Sequence, residues 1–244
     1  QDGSSQIIAA TIPNLKSYDP CFAYELAIIF DYGARRMMEQ CKNEFYYITV
    51  GNEKYIHPKA SIDKQQQIIQ GGYLFKHHKG NISINLLGSG PILRESIEAA
   101  KIIKDEFNIG SNVFSITSFT ELAKQAREVE RSNRLTAVDK KVKSNIENLI
   151  NNNDPIIATS DYTRAYPQLI SSYLSNSYTA LGTDGFGRSD TRENLRKFFE
   201  IDKFHIVIAA LDALCDLGKI SKSVVKSAIK NYKISSNSDH PWNR

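Results

Sequence analysis

The side chains of this sequence that could do chemistry do not form a complete catalytic pattern. A Gly-Ser-Gly run, Gly88 to Gly90, separates an apolar stretch from an amphipathic one. Such a run could cradle a phosphate at a helix N-terminus. It lacks the third glycine of a dinucleotide fingerprint and the lysine of a P-loop, so we favour a tight strand-to-helix turn.

The histidines, serines and cysteines offer no supporting arrangement. No HxxxH or HExxH pair predicts a metal site, and no GxSxG run predicts a serine nucleophile. We expect His77 and His78 to be exposed and His205 to be structural, while His57 lies in a turn. Cys21, Cys41 and Cys215 have no CxxC spacing, which favours a reducing, cytosolic setting.

The run LGTDGFGRSDTRENLR, residues 181–196, has an unusual composition for a loop. Gly185 and Gly187 bracket Phe186, which predicts a tight loop that presents one ring at a surface. Asp190 or Thr191 can cap the helix that follows. The run is either an interface connection or a solvent loop.

Composition excludes several classes of protein. The net charge of +4 is spread over 244 residues, so no block of basic residues suggests nucleic-acid binding. We expect no membrane span, because the best apolar run, 206–214, is interrupted by Asp212.

The chain begins at Gln1 without a methionine, and we expect it to be part of a longer polypeptide.

Alternating patterns predict an α/β fold with a mostly parallel sheet. Residues 4–12 suggest a short strand or extended entry, and 51–64 a linker. Ala23, Leu26, Ala27, Phe30 and Ala34 form an apolar face at helical spacing in a helix that Asp19-Pro20 opens. The further predicted strands are 45–50, 82–87, 112–116, 155–159 and 178–181. The further predicted helices are 92–107, from about 120, 166–174, 191–199, 206–217 and 222–230.

Five long, collinear segments resemble the C-terminal part of a known family. They are TIPNLKSYDPCFAYELAIIFDYGARRM, YYITVGNEKY, LLGSGPILRESIEAA, NVFSITSFTELA and LGTDGFGRSDTRENLR. The family is the homodimeric, thiamine diphosphate-dependent pyruvate dehydrogenase decarboxylase component. The resemblance implies that residues 1–64 end a pyrimidine-binding α/β domain. Residues 65–244 would form a three-layer α/β domain of the transketolase C-terminal type.

The resemblance also implies an activity for the whole polypeptide. That enzyme decarboxylates pyruvate oxidatively on thiamine diphosphate and Mg²⁺, and passes the acetyl unit to lipoyl groups of the dihydrolipoyl acetyltransferase component. It is a cytoplasmic homodimer. The metal–diphosphate motif and the activating glutamate would lie upstream, so we expect the chain alone to bind no cofactor and to be inactive. Phe186, Arg188 and Arg192 are candidates for the dimer interface, although Arg188 and Asp190 could instead form a local salt-bridged turn.

The segment QDGSSQ, residues 1–6, resembles the EDGxSH or DGPTH loop that lies beside the reactive thiazolium in this superfamily. Gln6 stands at the histidine position, and Ser4 replaces a second histidine. The resemblance implies that Ser4 and Gln6 bind substrate, with Gln6 at a catalytic position. Glutamine cannot act as an acid or base near neutral pH, whereas histidine can.

Other interpretations stay open. Ser132 and Arg134 stand where the family usually has tryptophan and methionine, so a non-catalytic, diverged paralogue or an isolated interaction domain is an alternative. A transketolase or another 2-oxoacid dehydrogenase is a weaker alternative.

Overall fold

A computed structural model describes residues 3–60, 62–137, 141–235 and 237–243. The first part of the chain forms a two-stranded parallel sheet with two helices. These elements are α1 (Ser5–Ala10), β1 (Leu15–Tyr18), α2 (Ala23–Ala34) and β2 (Phe45–Ile48). The last turn of α2 runs on into a π-helical turn, Arg35–Glu39.

A second sheet has five strands in the order β3-β5-β4-β6-β7. Its strands are β3 (Tyr73–His78), β4 (Ser83–Gly88), β5 (Gly110–Ser115), β6 (Ile156–Thr159) and β7 (Tyr178–Leu181). Strand β3 is antiparallel to β5, and the other neighbouring pairs are parallel. The predicted mostly parallel sheet, with a strand over residues 82–87, is therefore confirmed.

Eight further helices surround this sheet in the described part of the chain. They are α3 (Gln65–Gln70), α4 (Leu93–Phe107), α5 (Phe119–Thr136), α6 (Asn145–Leu149), α7 (Ala165–Gln168), α8 (Arg192–Phe198), α9 (Lys203–Asp216) and α10 (Lys222–Asn231). Short 3₁₀ turns cover Ile62–Lys64, Gly90–Ile92, Ser171–Tyr173 and Pro241–Asn243.

Each face of the five-stranded sheet packs against its own hydrophobic core. Leu86 and Val113 point to one face, where α4, α9 and α10 pack, while their neighbours Leu87 and Phe114 point to the other, where α5, α6 and α7 pack. Successive side chains of a strand alternate between faces, so apolar runs such as Leu86-Leu87 supply both cores. The result is the predicted three-layer α/β arrangement.

The two parts of the chain are joined through a buried carboxylate. Glu25, on α2, accepts hydrogen bonds from the amides of Cys21 and Phe22 at 2.7 and 2.8 Å. It also accepts from the hydroxyls of Tyr73 on β3 and Ser115 on β5, at 2.8 and 2.6 Å. The two amides close the first turn of α2, and the two hydroxyls fix α2 against the five-stranded sheet. Burial nevertheless raises the pKa of Glu25 above its usual value, because it outweighs these hydrogen bonds.

Two sequence predictions for the first part were wrong. Residues 4–12 do not form a strand, since α1 occupies Ser5–Ala10. The predicted apolar face of α2 is not the buried one: Phe30 is 67% exposed, and the buried residues are Tyr24, Glu25, Ile29 and Gly33. Helical spacing identified the helix but not the side that packs. The predicted domain boundary near residue 64 stays a prediction.

Candidate functional site

The loops that follow β4, β6 and β7 meet at one edge of the five-stranded sheet. These three strands are parallel, so their carboxyl ends lie side by side. In open α/β sheets this edge is where ligands usually bind. The edge carries Ser89, the segment 160–164 and the segment 182–190.

The beginning of the described chain lies at the same edge. The amide of Thr163 donates to the carbonyl of Gly3 at 2.9 Å. The hydroxyl of Tyr47 donates to Ser5 Oγ at 3.0 Å, and Ile7 packs on the core that contains Tyr166. A side-chain carbon at Gly3 would lie 3.3 Å from the carbonyl oxygen of Thr183, so the described part of the QDGSSQ motif lies next to the LGTDGFGRSD segment.

Gln6 is fully buried in the first turn of α1. Neither Oε1 nor Nε2 of its amide has a hydrogen-bond partner among the described residues. A buried polar group without a partner costs about 1–3 kcal/mol, and native proteins keep few of them. Within the described residues, the hydrogen-bonding capacity of the Gln6 amide is therefore unused.

Ser4 is exposed and precedes the first residue of α1. Its carbonyl accepts from the amides of Ile7 and Ile8 at 3.0 Å each. Gln1 and Asp2, the first two positions of this motif, lie outside the described residues. The roles of Ser4 and Gln6 in binding substrate stay predictions.

A buried carboxylate that sequence analysis did not assign lies at the centre of this edge. Asp19 Oδ1 accepts from Thr49 Oγ1 at 2.7 Å, and Oδ2 accepts from Ser89 Oγ at 2.9 Å. Ser89 Oγ also lies 3.1 Å from Ser160 Oγ. Asp19 therefore links the end of β1 with the loops after β4 and β6.

Burial raises the pKa of Asp19 to about 7, an effect that the hydrogen bonds from Thr49 and Ser89 reduce and the negative charges of Asp161 and Glu25 increase. The carboxyl group therefore changes its charge near neutral pH. The sequence signal was only an aspartate before Pro20, which we had interpreted as the beginning of a helix.

The Gly-Ser-Gly run wraps around this carboxylate. Gly90 has φ +48°, and its amide donates to the carbonyl of Asp19 at 2.9 Å. A side-chain carbon at Gly90 would lie 2.5 Å from both carboxylate oxygens. This geometry agrees with the tight strand-to-helix turn that we favoured over a phosphate site, because Asp19 occupies the space that a phosphate would need.

The LGTDGFGRSD segment divides into a buried half and an exposed half. Asp184 is 5% exposed, and its Oδ2 accepts from Arg164 Nε at 2.7 Å. Phe186 is 89% exposed at the loop tip, as predicted for a ring presented at a surface. Thr191 is the N-cap of α8, with its Oγ1 accepting from the amide of Asn194 at 3.3 Å.

The two arginines of this segment have contacts within the chain. The guanidinium of Arg188 lies 5.3 Å from the ring centroid of Phe198. Arg192 contacts Asn52 Oδ1 and lies 3.8 Å from Glu53 Oε2. The role of Phe186, Arg188 and Arg192 in a dimer interface stays a prediction.

A cleft of about 510 Å³ opens between the linker and this segment. Its charged lining includes Glu53, Asp161, Arg192 and Arg196. Glu53 accepts from Arg94 at 2.6 Å and from Arg196 at 2.8 Å. Burial alone would raise the pKa of Glu53, but these two partners hold it below its usual value. One wall of the cleft is thus a preformed ion-pair network.

The contacts of two histidines agree with the predictions made for them. His77 lies on β3 and is exposed as predicted, although it belongs to a strand that we did not predict. His205 Nδ1 lies 2.9 Å from Asp202 Oδ1 in the first turn of α9, which agrees with a structural role. Within the described ranges, no three His, Cys, Asp or Glu side chains come together as a metal site would require.

Two family models match this chain. Residues 1–58 match the pyruvate dehydrogenase E1 component middle domain, and residues 71–202 match the transketolase-like C-terminal domain. The segment between them, residues 59–70, holds the last part of the predicted linker and helix α3. In the described residues no helix is both long and apolar enough to cross a membrane.

Curated relatives match over nearly all of the chain. The pyruvate dehydrogenase E1 component of Pseudomonas aeruginosa is 45% identical over 99% of this chain and 28% of its own length. The protein of the same name from Escherichia coli K12 is 41% identical over 99% of this chain and 27% of its own length. The chain therefore spans little more than a quarter of these relatives.

Solved structures share the fold at low identity. A transketolase mutant from Pichia stipitis has a TM-score of 0.65 at 15% identity and covers 89% of this chain and 28% of its own. A split-gene transketolase described as an inactive β4 tetramer has a TM-score of 0.58 at 15% identity, covering 88% of this chain and 62% of its own. Both show the transketolase-type fold alone.

Proposed function

This chain belongs to the transketolase-like C-terminal domain family, and from that premise we propose that it is the C-terminal part of a pyruvate dehydrogenase E1 component. The whole polypeptide would decarboxylate pyruvate oxidatively with thiamine diphosphate and Mg²⁺ and transfer the acetyl unit to lipoyl groups. The observation that carries the proposal is the 41–45% identity to E1 components over 99% of the chain. The proposal keeps the homodimer, the dihydrolipoyl acetyltransferase partner and the cytoplasmic location that the resemblance implies.

The cofactor would be held mainly by residues outside this chain. The described residues contain no cluster of three metal-ligating side chains, and Asp19 fills the Gly-Ser-Gly turn. When bound, thiamine diphosphate supplies the carbanion chemistry, and the protein supplies orientation and electrostatics.

The contribution of this chain is to hold one segment of the pocket wall. Gln6 would donate from its amide NH₂ group and accept at its carbonyl oxygen toward substrate or an intermediate, and the lack of partners for both atoms among the described residues supports this role. It cannot exchange a proton near neutral pH, so any proton transfer at this position needs another group. Ser4 would contribute a hydroxyl nearby.

The test is an assay of the full-length polypeptide with thiamine diphosphate and Mg²⁺. We expect pyruvate-dependent release of CO₂ coupled to the reduction of a dye acceptor, and no such activity from residues 1–244 alone. Transfer of a ketol group from a sugar phosphate would favour the transketolase alternative. Turnover of neither substrate by a folded protein would favour the non-catalytic paralogue.

A further inference from the structure

The loops after β6 and β7 form one rigid platform. The amide of Thr183 donates to the carbonyl of Tyr162 at 2.8 Å. A side-chain carbon at Gly182 would lie 2.5 Å from the same carbonyl oxygen, so the close approach of the two loops requires glycine there. Backbone contacts therefore hold the two loops of the platform together.

Asp184 fixes the part of the platform that faces the start of the chain. Its Oδ1 accepts from Thr163 Oγ1 at 2.7 Å and from the amide of Arg164 at 3.0 Å. Its Oδ2 accepts from Arg164 Nε at 2.7 Å. Three donors converge on one buried carboxylate, and hydrogen bonds to a charged acceptor are stronger than neutral ones.

The fixed peptide at Thr163 then holds Gly3. The amide of Thr163 donates to the carbonyl of Gly3 at 2.9 Å. A side-chain carbon at Gly3 would lie 3.3 Å from the carbonyl oxygen of Thr183, so Gly3 contacts both loops of the platform. Gln6 follows three residues later.

The segment from Gly3 to Gln6 has little local support of its own. Helix α1 has only six residues. Isolated helices of this length are unstable in water. Its position must therefore come from contacts with the rest of the chain.

We propose that Asp184 is a positioning residue for the segment Gly3–Gln6, acting through Thr163 and Arg164. The effect on catalysis rests on the proposed function, because it requires Gln6 to be a pocket residue. The effect on the conformation of the segment does not. A misplacement of about 1 Å at a reacting centre can cost on the order of a hundredfold in rate, so loss of this restraint would lower kcat.

The experiment compares variants of the full-length polypeptide by hydrogen exchange of the α1 amides, residues 7–10, and by kinetics. Asp184→Ala removes all three acceptor contacts, whereas Asp184→Asn keeps Oδ1. Asp202→Ala is the matched control, because Asp202 likewise accepts from three donors, here two amides and one side chain, but at the start of α9. We expect roughly tenfold faster exchange in α1 and at least tenfold lower kcat for Asp184→Ala, partial recovery for Asp184→Asn, and parent values for the control.

Thr163→Val keeps the inference falsifiable if Asp184→Ala does not fold, since it removes one donor at nearly constant shape. Parent-like exchange in α1 for a folded Asp184→Ala, or for Thr163→Val in its place, overturns the inference. Equal acceleration in Asp202→Ala would also overturn it, since the effect would then be general destabilisation. A parent without pyruvate turnover would contradict the proposed function alone, because exchange needs no activity.

Discussion

At residue 6 the chemistry depends on the difference between an amide and an imidazole. Both side chains donate and accept hydrogen bonds, but only imidazole changes protonation near neutral pH. The unpartnered amide of Gln6 can therefore orient a bound group, while a histidine could also exchange a proton with it.

We predict that Gln6→His raises kcat or shifts its pH profile in the full-length enzyme, by up to the hundredfold to ten-thousandfold that a general acid–base group typically contributes. Gln6→Ala is expected to raise KM, because the hydrogen bonds of the amide are lost. Steady-state kinetics with pyruvate between about pH 6 and 8 measures both effects. Parent-like kinetics for the two variants would remove Gln6 from the pocket.

Gly90 allows a second prediction at the scale of one residue. Gly90→Ala places a methyl group 2.5 Å from the Asp19 carboxylate at φ +48°. We expect it to lower the free energy of unfolding by about 2–5 kcal/mol, from backbone strain and overpacking together. Urea denaturation of the purified chain measures this loss.

Gly218→Ala is the matched control for Gly90. Gly218 also has a positive φ, +67°, but a side-chain carbon there would meet no atom within 4 Å. Backbone strain alone costs about 1–2 kcal/mol. If the two variants lose equal stability, the contact with Asp19 does not explain the requirement for glycine.

At the scale of elements, the pattern predicted the larger helices because each buries one clear face. It predicted the parallel strands because their short apolar runs are buried on both faces. The pattern gave a wrong or missing element where contacts with residues distant in sequence determine which side chains are buried. The apolar residues of α1 suggested a strand, and β3 was missed because His77 and His78 give it a polar sequence. In α2 the inward face includes Glu25, which no hydrophobic pattern selects.

The buried carboxyl group of Asp19, between β1 and the loop after β4, predicts that the stability of the fold depends on pH. The folded-state pKa of Asp19 is about 7, whereas an unfolded aspartate titrates near 3.9. Between these values the folded state retains a proton that the unfolded state has lost, so this group's contribution to stability falls as pH rises from about 4 to 7. The fall is at most about 4 kcal/mol, from roughly three pKa units at 1.36 kcal/mol each.

Asp19→Asn cannot titrate and should lack this decline. Urea denaturation of parent and variant at about pH 4.5 and 7.5 is the measurement, and the variant is expected to gain stability relative to the parent at the higher pH. Any constant cost of the amide cancels in this comparison. Stability curves that run parallel across the two pH values would contradict the raised pKa.

At the scale of the whole molecule, sequence analysis located both motifs of the candidate site but not their contact. Asp184 was part of a quoted motif and received no role, because its partners Thr163 and Arg164 are about 20 residues away in sequence. The position of Asp19 between three loops likewise depends on the docking of the two sheets. Contacts of this kind are set by tertiary structure and leave no local pattern.

The exposed tip of the LGTDGFGRSD segment leads to a prediction about assembly. If Phe186 contacts the partner of a homodimer, Phe186→Ser should weaken association of the full-length polypeptide by roughly tenfold or more, since aromatic anchors typically contribute over 1.4 kcal/mol. Leu217→Ser is the control, because Leu217 is an exposed apolar residue (46%) at the end of α9. Sedimentation over a dilution series measures both, and equal values for Phe186→Ser and parent would place Phe186 outside the interface.

The packing of the chain's end against this loop has an optical consequence. Trp242 is the single tryptophan of the sequence and is 65% exposed. A side-chain carbon at Gly185 would lie 3.1 Å from its Cα, so the indole is attached directly beside the loop that carries Phe186. The fluorescence of an indole depends on its contact with water. Residues 1–244 therefore contain their own reporter, whose emission would follow an event that covers or moves this loop without an added label.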